Sequence, residues 1–197
     1  MNKKYLVFDC FGVILSPVIS LWHSKLLLEN NFKNEDFRKV LIDFDLNKID
    51  ENGLINYFLK YPFLQSDRET IQNEIDSFLE IDEDLVSLIK ILKKKKFKIF
   101  LLSNANHNFF ERKVYKKYPE FKDLFDDIII SSLVGLVKPN QEIFQYFVSK
   151  HNLHKSDCLF IDDNSTNVEA AKRFGIDSFL YSDVVGFETY LKNGKII

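Results

Sequence analysis

The chain has 197 residues, 46% of them hydrophobic and 28% charged, which is a globular balance and enough length for one domain with a small insert. A formal net charge of −2 argues against a nucleic-acid-binding face as the main function. No apolar run approaches the length of a membrane span, and Met1-Asn2-Lys3-Lys4 leads straight into a strand rather than a signal peptide, so the cytoplasm is the expected location.

The first predicted element is the strand Tyr5-Leu6-Val7-Phe8, an apolar run without alternation, as in a strand buried on both faces. It runs into Asp9-Cys10-Phe11-Gly12, where an acid sits at the carboxyl end of the strand and a glycine permits a sharp turn. Helical periodicity follows through Val18, Leu21, Trp22, Leu26 and Leu28, then Phe37, Val40, Leu41 and Phe44. A third helix through Leu54, Ile55, Phe58 and Leu59 is expected to stop near Tyr61-Pro62, and a fourth carries Ile71, Ile75, Phe78 and Leu79. No convincing strand lies in this stretch.

From Asp82 onward, helices and strands alternate. A helix over 84–95 ends in Lys93-Lys94-Lys95-Lys96, read as a solvated C-terminal turn favoured by the macrodipole. The strand Lys98–Leu102 ends at Ser103-Asn104, and a helix is predicted around 107–117. The strand Asp127–Ile130 leads to a loop with Gly135 and Lys138-Pro139, where Pro139 suits the first turn of the next helix, through Ile143, Phe144, Phe147 and Val148. The strand Cys158–Ile161 ends at Asp162-Asp163, a helix runs from about Ser165 to Phe174 with Gly175 as its C′ residue, and Ser178–Tyr181 is a last strand. The alternation implies a mostly parallel sheet with helices on both faces. Cys10 and Cys158 lack metal-ligand spacing and read as reduced packing residues. The four histidines, His23, His107, His151 and His154, are scattered and read as surface or packing residues.

Polar groups thus end three buried strands, and in a parallel sheet they converge at one edge. Asp9 can act as a nucleophile, and Asp9 with Asp163 can hold a hard divalent cation such as Mg²⁺. Ser103 and nearby amides can hold phosphoryl oxygens, and Lys138 can neutralise developing charge. Taken alone, each has a plainer reading. Asp162-Asp163-Asn164 suits a helix N-cap, Ser103-Asn104 an ordinary turn, and Lys138 a surface position.

These motifs, in this order and spacing, resemble the haloacid dehalogenase-like hydrolase superfamily, whose members are mostly Mg²⁺-dependent phosphatases. The resemblance covers nearly the whole chain. It looks nearest to the glucose-1-phosphate phosphatases and the epoxide-hydrolase N-terminal domains, through Leu102-Ser103-Asn104-Ala105-Asn106 and Phe160-Ile161-Asp162-Asp163-Asn164. It implies an α/β, Rossmann-like three-layer core from residues 1–15 and 84–197, with a small helical cap from 16–83. It further implies a small phosphorylated substrate; the net charge and the short apolar runs noted above leave no nucleic-acid or membrane partner expected.

Carried over residue by residue, Asp9 would be the nucleophile that forms an aspartyl-phosphate. Ser103, with Asn104 beside it, would bind the phosphoryl group, and Lys138 would bridge it to the nucleophile. Asp163, Asp9 and the backbone carbonyl of Phe11 would hold Mg²⁺, with Asp162 as a further ligand or an orienter of water. Asn167 stands where some members carry another acid. Arg38 in the cap is the counterpart of an anion-binding arginine in dehalogenases only approximately, and it reads better as a solvated helix position.

One departure concerns the leaving group. Phosphatases of this kind usually place a second aspartate two residues after the nucleophile, and here that position is Phe11. The expectation is a phosphatase favouring good leaving groups. The alternatives are a metal-independent dehalogenase-type hydrolase, or a catalytically weak member serving as a binding or regulatory module.

Overall fold

A computed structural model describes residues 3–31 and 36–197. The part of the N-terminal reading that concerns Met1 and Asn2 lies outside the described residues. In chain order the elements are β1 (Tyr5–Phe8), α1 (Val18–Glu29), α2 (Phe37–Asp45), α3 (Glu51–Phe58), α4 (Arg68–Ser77), α5 (Glu83–Lys94) and β2 (Lys98–Ser103). A helical stretch follows as α6 (His107–Phe109), a π turn over Phe110–Val114 and α7 (Tyr115–Lys117). Then come β3 (Asp127–Ile130), α8 (Ser131–Val134), α9 (Gln141–Lys150), β4 (Cys158–Asp162), α10 (Ser165–Phe174), β5 (Asp177–Leu180) and α11 (Val184–Asn193). Among the described residues, no helix is long and apolar enough to cross a membrane.

The five strands form one parallel sheet in the order β3-β2-β1-β4-β5. Its two faces follow from the period of two along each strand. Leu6, Phe8, Ile99, Leu101, Leu159 and Ile161 point to the face packed by α5, α6 and α11, and the core on that side continues into α1–α4. Val7, Phe100, Leu102, Cys158 and Phe160 point to the other, packed by Ile143, Phe144 and Phe147 of α9 and Ala170 and Ala171 of α10. With helices on both faces, the middle strands have no polar face to show, hence their continuous apolar runs. Cys10 and Cys158 are free and buried.

The helices begin as their sequences direct. Asp50, Asp67, Asp82, Asn164 and Asp183 each accept a backbone N–H from the first turn of the helix they precede. Gly175 closes α10 at φ +99, a conformation that side chains avoid.

Several expectations need correcting. Pro139 does not lie in the helix after it: Asn140 precedes the first helical residue, Gln141, and the Lys138–Pro139 peptide is cis. The third insert helix ends at Phe58, before the Tyr61-Pro62 stop. The last strand is Asp177–Leu180 rather than Ser178–Tyr181, and α11 follows it.

Candidate active site

All strands run the same way, so β1, β2 and β4 deliver Asp9, Ser103 and Asp162 to one edge of the sheet. That edge includes the switch point between β1 and β4, where the chain, having wound outward from β1 through β2 to β3, crosses back to the far side of β1 to form β4, the usual place for a ligand crevice. A cavity of about 260 Å³ opens there, lined in part by Asp9, Phe11, Asp45, Asn104, Phe109 and Asp163.

Lys138 is the electrostatic centre. Its side chain is fully buried, and its Nζ lies 2.7 Å from Asp9 Oδ1 and 2.7 Å from Asp162 Oδ2. Burial alone would lower the lysine pKa, but the carboxylates of Asp162 and Asp9 outweigh it and hold the pKa above its ordinary value, so the ammonium stays charged. Asn104 fixes the lysine from behind: its Oδ1 accepts the Lys138 backbone N–H at 2.8 Å, and its Nδ2 donates to the Lys138 carbonyl at 2.8 Å. The Asn104 side chain, expected at the phosphoryl group, lines the cavity and through these two bonds also positions Lys138.

Asp9 Oδ1 also accepts the Cys10 backbone N–H at 2.6 Å. Among the described residues, Oδ2 has no protein partner and remains available to a reactant. Burial pushes the Asp9 pKa well up; Lys138 opposes that, while Asp162 and Asp163 reinforce it. Asp163 is also raised, by burial first and then by Asp162.

Asp162 is completely buried and saturated. Besides Lys138, it accepts the Asn164 backbone N–H at 2.8 Å and the Asn167 Nδ2–H at 3.1 Å from each oxygen. Asn167 thus orients Asp162. Asp163 leans over Gly12, whose φ is +94 and whose position would put any Cβ 2.2 Å from Asp163 Oδ2. One carboxylate oxygen each from Asp9, Asp162 and Asp163 lies within 4.8 Å of the others.

Ser103 is fully buried at the end of β2, and its Oγ has no hydrogen-bond partner among the described residues. The Ala105 amide next to it already donates to Ser131 Oγ at 2.9 Å, so that amide is not free for a phosphoryl oxygen. Phe11 packs edge-on against Phe109 and Phe110, with ring centroids 5.9 and 5.7 Å away. Arg38 is exposed and does not line the cavity. Sequence reasoning missed Asp45, the last residue of α2, which lines the cavity opposite Asp9.

Comparison with known proteins follows the same lines. The sequence profile of the haloacid dehalogenase-like hydrolases matches residues 3–175. The chain is 30% identical over 118 residues to D-ribitol-5-phosphate phosphatase of Bacteroides thetaiotaomicron, covering 56% of this chain and 55% of that protein. It therefore spans about half the length of that relative. It is 26% identical over 193 residues to (S)-2-haloacid dehalogenase of Pseudomonas putida, covering 88% of this chain and 82% of that one. A family enzyme of Bacteroides thetaiotaomicron, solved with magnesium and inorganic phosphate, shares the fold with a TM-score of 0.68 and 20% identity, over 94% of this chain and 98% of that one.

Proposed function

We propose, from the premise that this chain belongs to the haloacid dehalogenase-like hydrolase family, that it is a Mg²⁺-dependent phosphatase acting on a small phosphorylated metabolite through an aspartyl-phosphate on Asp9. The observation that carries this reading is the convergence of three carboxylates within 4.8 Å around a single buried lysine. Burial first, and then the neighbouring carboxylates, raise the Asp9 pKa, and a dication would relieve both. The donors are hard oxygens, which suit Mg²⁺. Asp9 and Asp163 would hold the ion, with the Phe11 carbonyl, while Asp162 is occupied by Lys138, Asn164 and Asn167. When bound, the ion would neutralise phosphoryl charge and offset repulsion between the phosphate and Asp9.

The chain's own residues do the rest. Asp9 Oδ2 attacks phosphorus while Lys138 and Cys10 N–H hold Oδ1 and fix the carboxylate plane. The unpaired Ser103 hydroxyl is suited to donate to a phosphoryl oxygen, and Lys138 stabilises the charge that builds in the transition state. Residues 16–83 act as the cap that selects the substrate, and the cavity volume suits a small ester rather than a polymer. Phe11 can neither protonate a leaving group nor activate water, so nothing on the nucleophile's own loop helps a poor leaving group depart. Unless a residue outside that loop supplies the proton, aryl, acyl and anomeric phosphates should react ahead of simple alkyl phosphates. The reduced cysteines fit a cytoplasmic setting.

In the dehalogenase alternative no cation would offset the acidic lining. A 2-haloacid would bring a carboxylate into a space lined by Asp9, Asp45 and Asp163, with no lysine or arginine lining it among the described residues. The test is a panel of phosphorylated metabolites and 2-haloacids, each assayed with Mg²⁺ and with EDTA. Turnover of phosphate esters that vanishes in EDTA and returns with Mg²⁺ is expected. Dechlorination or ester hydrolysis at full rate in EDTA would reject the assignment.

A further inference from the structure

We propose that Asp45, carried into the cavity by the C-terminal end of α2, is the proton donor for the leaving group and the base for the second step, in place of the acid that Phe11 displaces. This rests on the phosphatase reading above. Asp45 is the one carboxyl lining the cavity, among the described residues, that lies outside the Asp9–Asp162–Asp163 cluster. It is half-buried, and its carboxylate has no hydrogen-bond partner among the described residues, so it is free to meet a ligand.

The placement is built rather than incidental. The Asp45 carbonyl accepts a hydrogen bond from Ser131 Oγ at 2.6 Å, and the Phe44 carbonyl accepts one from Asn106 Nδ2 at 3.1 Å. Ser131 opens α8 directly after β3 and Asn106 lies in the loop after β2, so the end of α2 is anchored to the same sheet edge that presents Asp9. An aspartate as the last residue of a helix also sits at the negative end of the macrodipole, where a cation is ordinarily preferred and an anion is penalised.

These surroundings favour the protonated acid. Burial pushes the Asp45 carboxyl up to about 7, and the Lys138 ammonium, pulling the other way, does not undo it. The charged groups on the neighbouring elements are Asp9 and Asp163 in the cavity lining with Lys138 buried behind them, Asp43 on α2 with Lys48 paired to it, and Asp50 and Glu51 at the start of α3; α8 contributes none. Of these only Lys138 shifts it. A carboxyl poised near neutrality serves as acid in one step and base in the next.

The chemistry balances. As the Asp9 Oδ2–phosphorus bond forms, the bond from phosphorus to the leaving oxygen breaks, and its electron pair takes the Asp45 proton, releasing the alcohol and leaving Asp45 as carboxylate. In the second step Asp45 takes a proton from water as the water oxygen bonds to phosphorus. The phosphorus–Asp9 bond then breaks, releasing inorganic phosphate and restoring both carboxyl groups to their starting states.

The test compares kcat/KM, with saturating Mg²⁺, for ethyl phosphate and p-nitrophenyl phosphate in wild type and Asp45→Asn. Nitrophenolate departs without help and ethoxide does not. The ratio of ethyl to nitrophenyl turnover should therefore fall by about 10²-fold or more in the variant. In wild type, kcat/KM for the ethyl ester should decline about tenfold per pH unit above roughly pH 7, a limb the variant lacks. Phe11→Asp added to Asp45→Asn should recover part of the ethyl ester activity, which a loss of substrate positioning alone would not allow. If wild type hydrolyses both esters and Asp45→Asn changes them by the same factor, or changes neither, the proton-donor role is wrong and the phosphatase reading stands. If wild type hydrolyses neither, both fall together. A misfolded variant would lose both esters and its thermal transition, and the wild-type pH limb then decides: its absence overturns the role.

Discussion

Gly12→Ala is the sharpest single test of the proposed metal centre, because the structure gives the size of the effect. The new methyl would lie 2.2 Å from Asp163 Oδ2, 2.5 Å from its Cγ and 2.8 Å from Oδ1, where about 3 Å is the nearest approach real side chains show. The carboxylate must retreat by close to 1 Å, or the turn must open. Backbone strain at φ +94 adds about 1–3 kcal/mol, and the smaller entropy of the unfolded chain returns about 0.4–1 kcal/mol. Without metal, the variant should therefore be less stable by about 1–2 kcal/mol by urea titration in EDTA. Its Mg²⁺ affinity should fall by about 10–100-fold, as expected when a ligand's orientation is lost. Isothermal titration and the Mg²⁺ dependence of turnover should agree on that figure. An unchanged Mg²⁺ midpoint in a folded Gly12→Ala protein would mean that Asp163 does not hold the ion, and the assignment of the centre would have to be rebuilt.

Two further outcomes are expected. Asp9→Asn should abolish turnover, by about 10⁴-fold or more, and fluoroberyllate should no longer be trapped. The same variant should be at least as stable as wild type in EDTA, since it removes a carboxyl that burial penalises; a loss of folding would show that Asp9 is chiefly structural. His23 is buried against Phe37, with its Nε2 2.7 Å from the Tyr61 hydroxyl, and burial lowers its pKa from 6.5 to about 4. The unfolded chain then binds this proton before the folded one, so stability should fall as pH drops from about 6.5 to about 4, by up to about 3 kcal/mol. His23→Gln should flatten denaturant midpoints across that window.

The core was legible wherever chemistry and periodicity coincide. The unbroken apolar run of β1 ending in Asp9, and the matching ends of β2 and β4, reveal a strand buried on both faces with a polar tip. Other features depend on contacts that no local pattern records. α8 is only four residues long, too short to show a period. The π turn over Phe110–Val114 lies inside an ordinary helical pattern. α11 did carry a signal, with Asp183 as its cap and Phe187 and Leu191 buried at helical spacing, but the sequence reading ended at the strand before it. Within the site, Asn104 has the composition of a ligand-binding residue and the geometry of a clamp. Asp45 looks like any helix-end acid until α2 is anchored against the sheet edge.

The middle position of β1 has a consequence for how the chain is made. Tyr5–Phe8 leave the ribosome well before either neighbour: Lys98–Leu101 follow the four insert helices, and Cys158–Ile161 follow β3 and α9 as well. Until then, Leu6, Val7 and Phe8 have open edges on both sides, a ready template for wrong pairing. Pairings this distant in sequence also slow folding, because the chain must close long loops before any contact rewards it. A nascent chain halted before Cys158 would hold Asp9, Ser103 and Lys138, but would leave one flank of the central strand exposed. Such a fragment should aggregate rather than retain part of the activity, and chaperone dependence during synthesis should end only once β4 has been made.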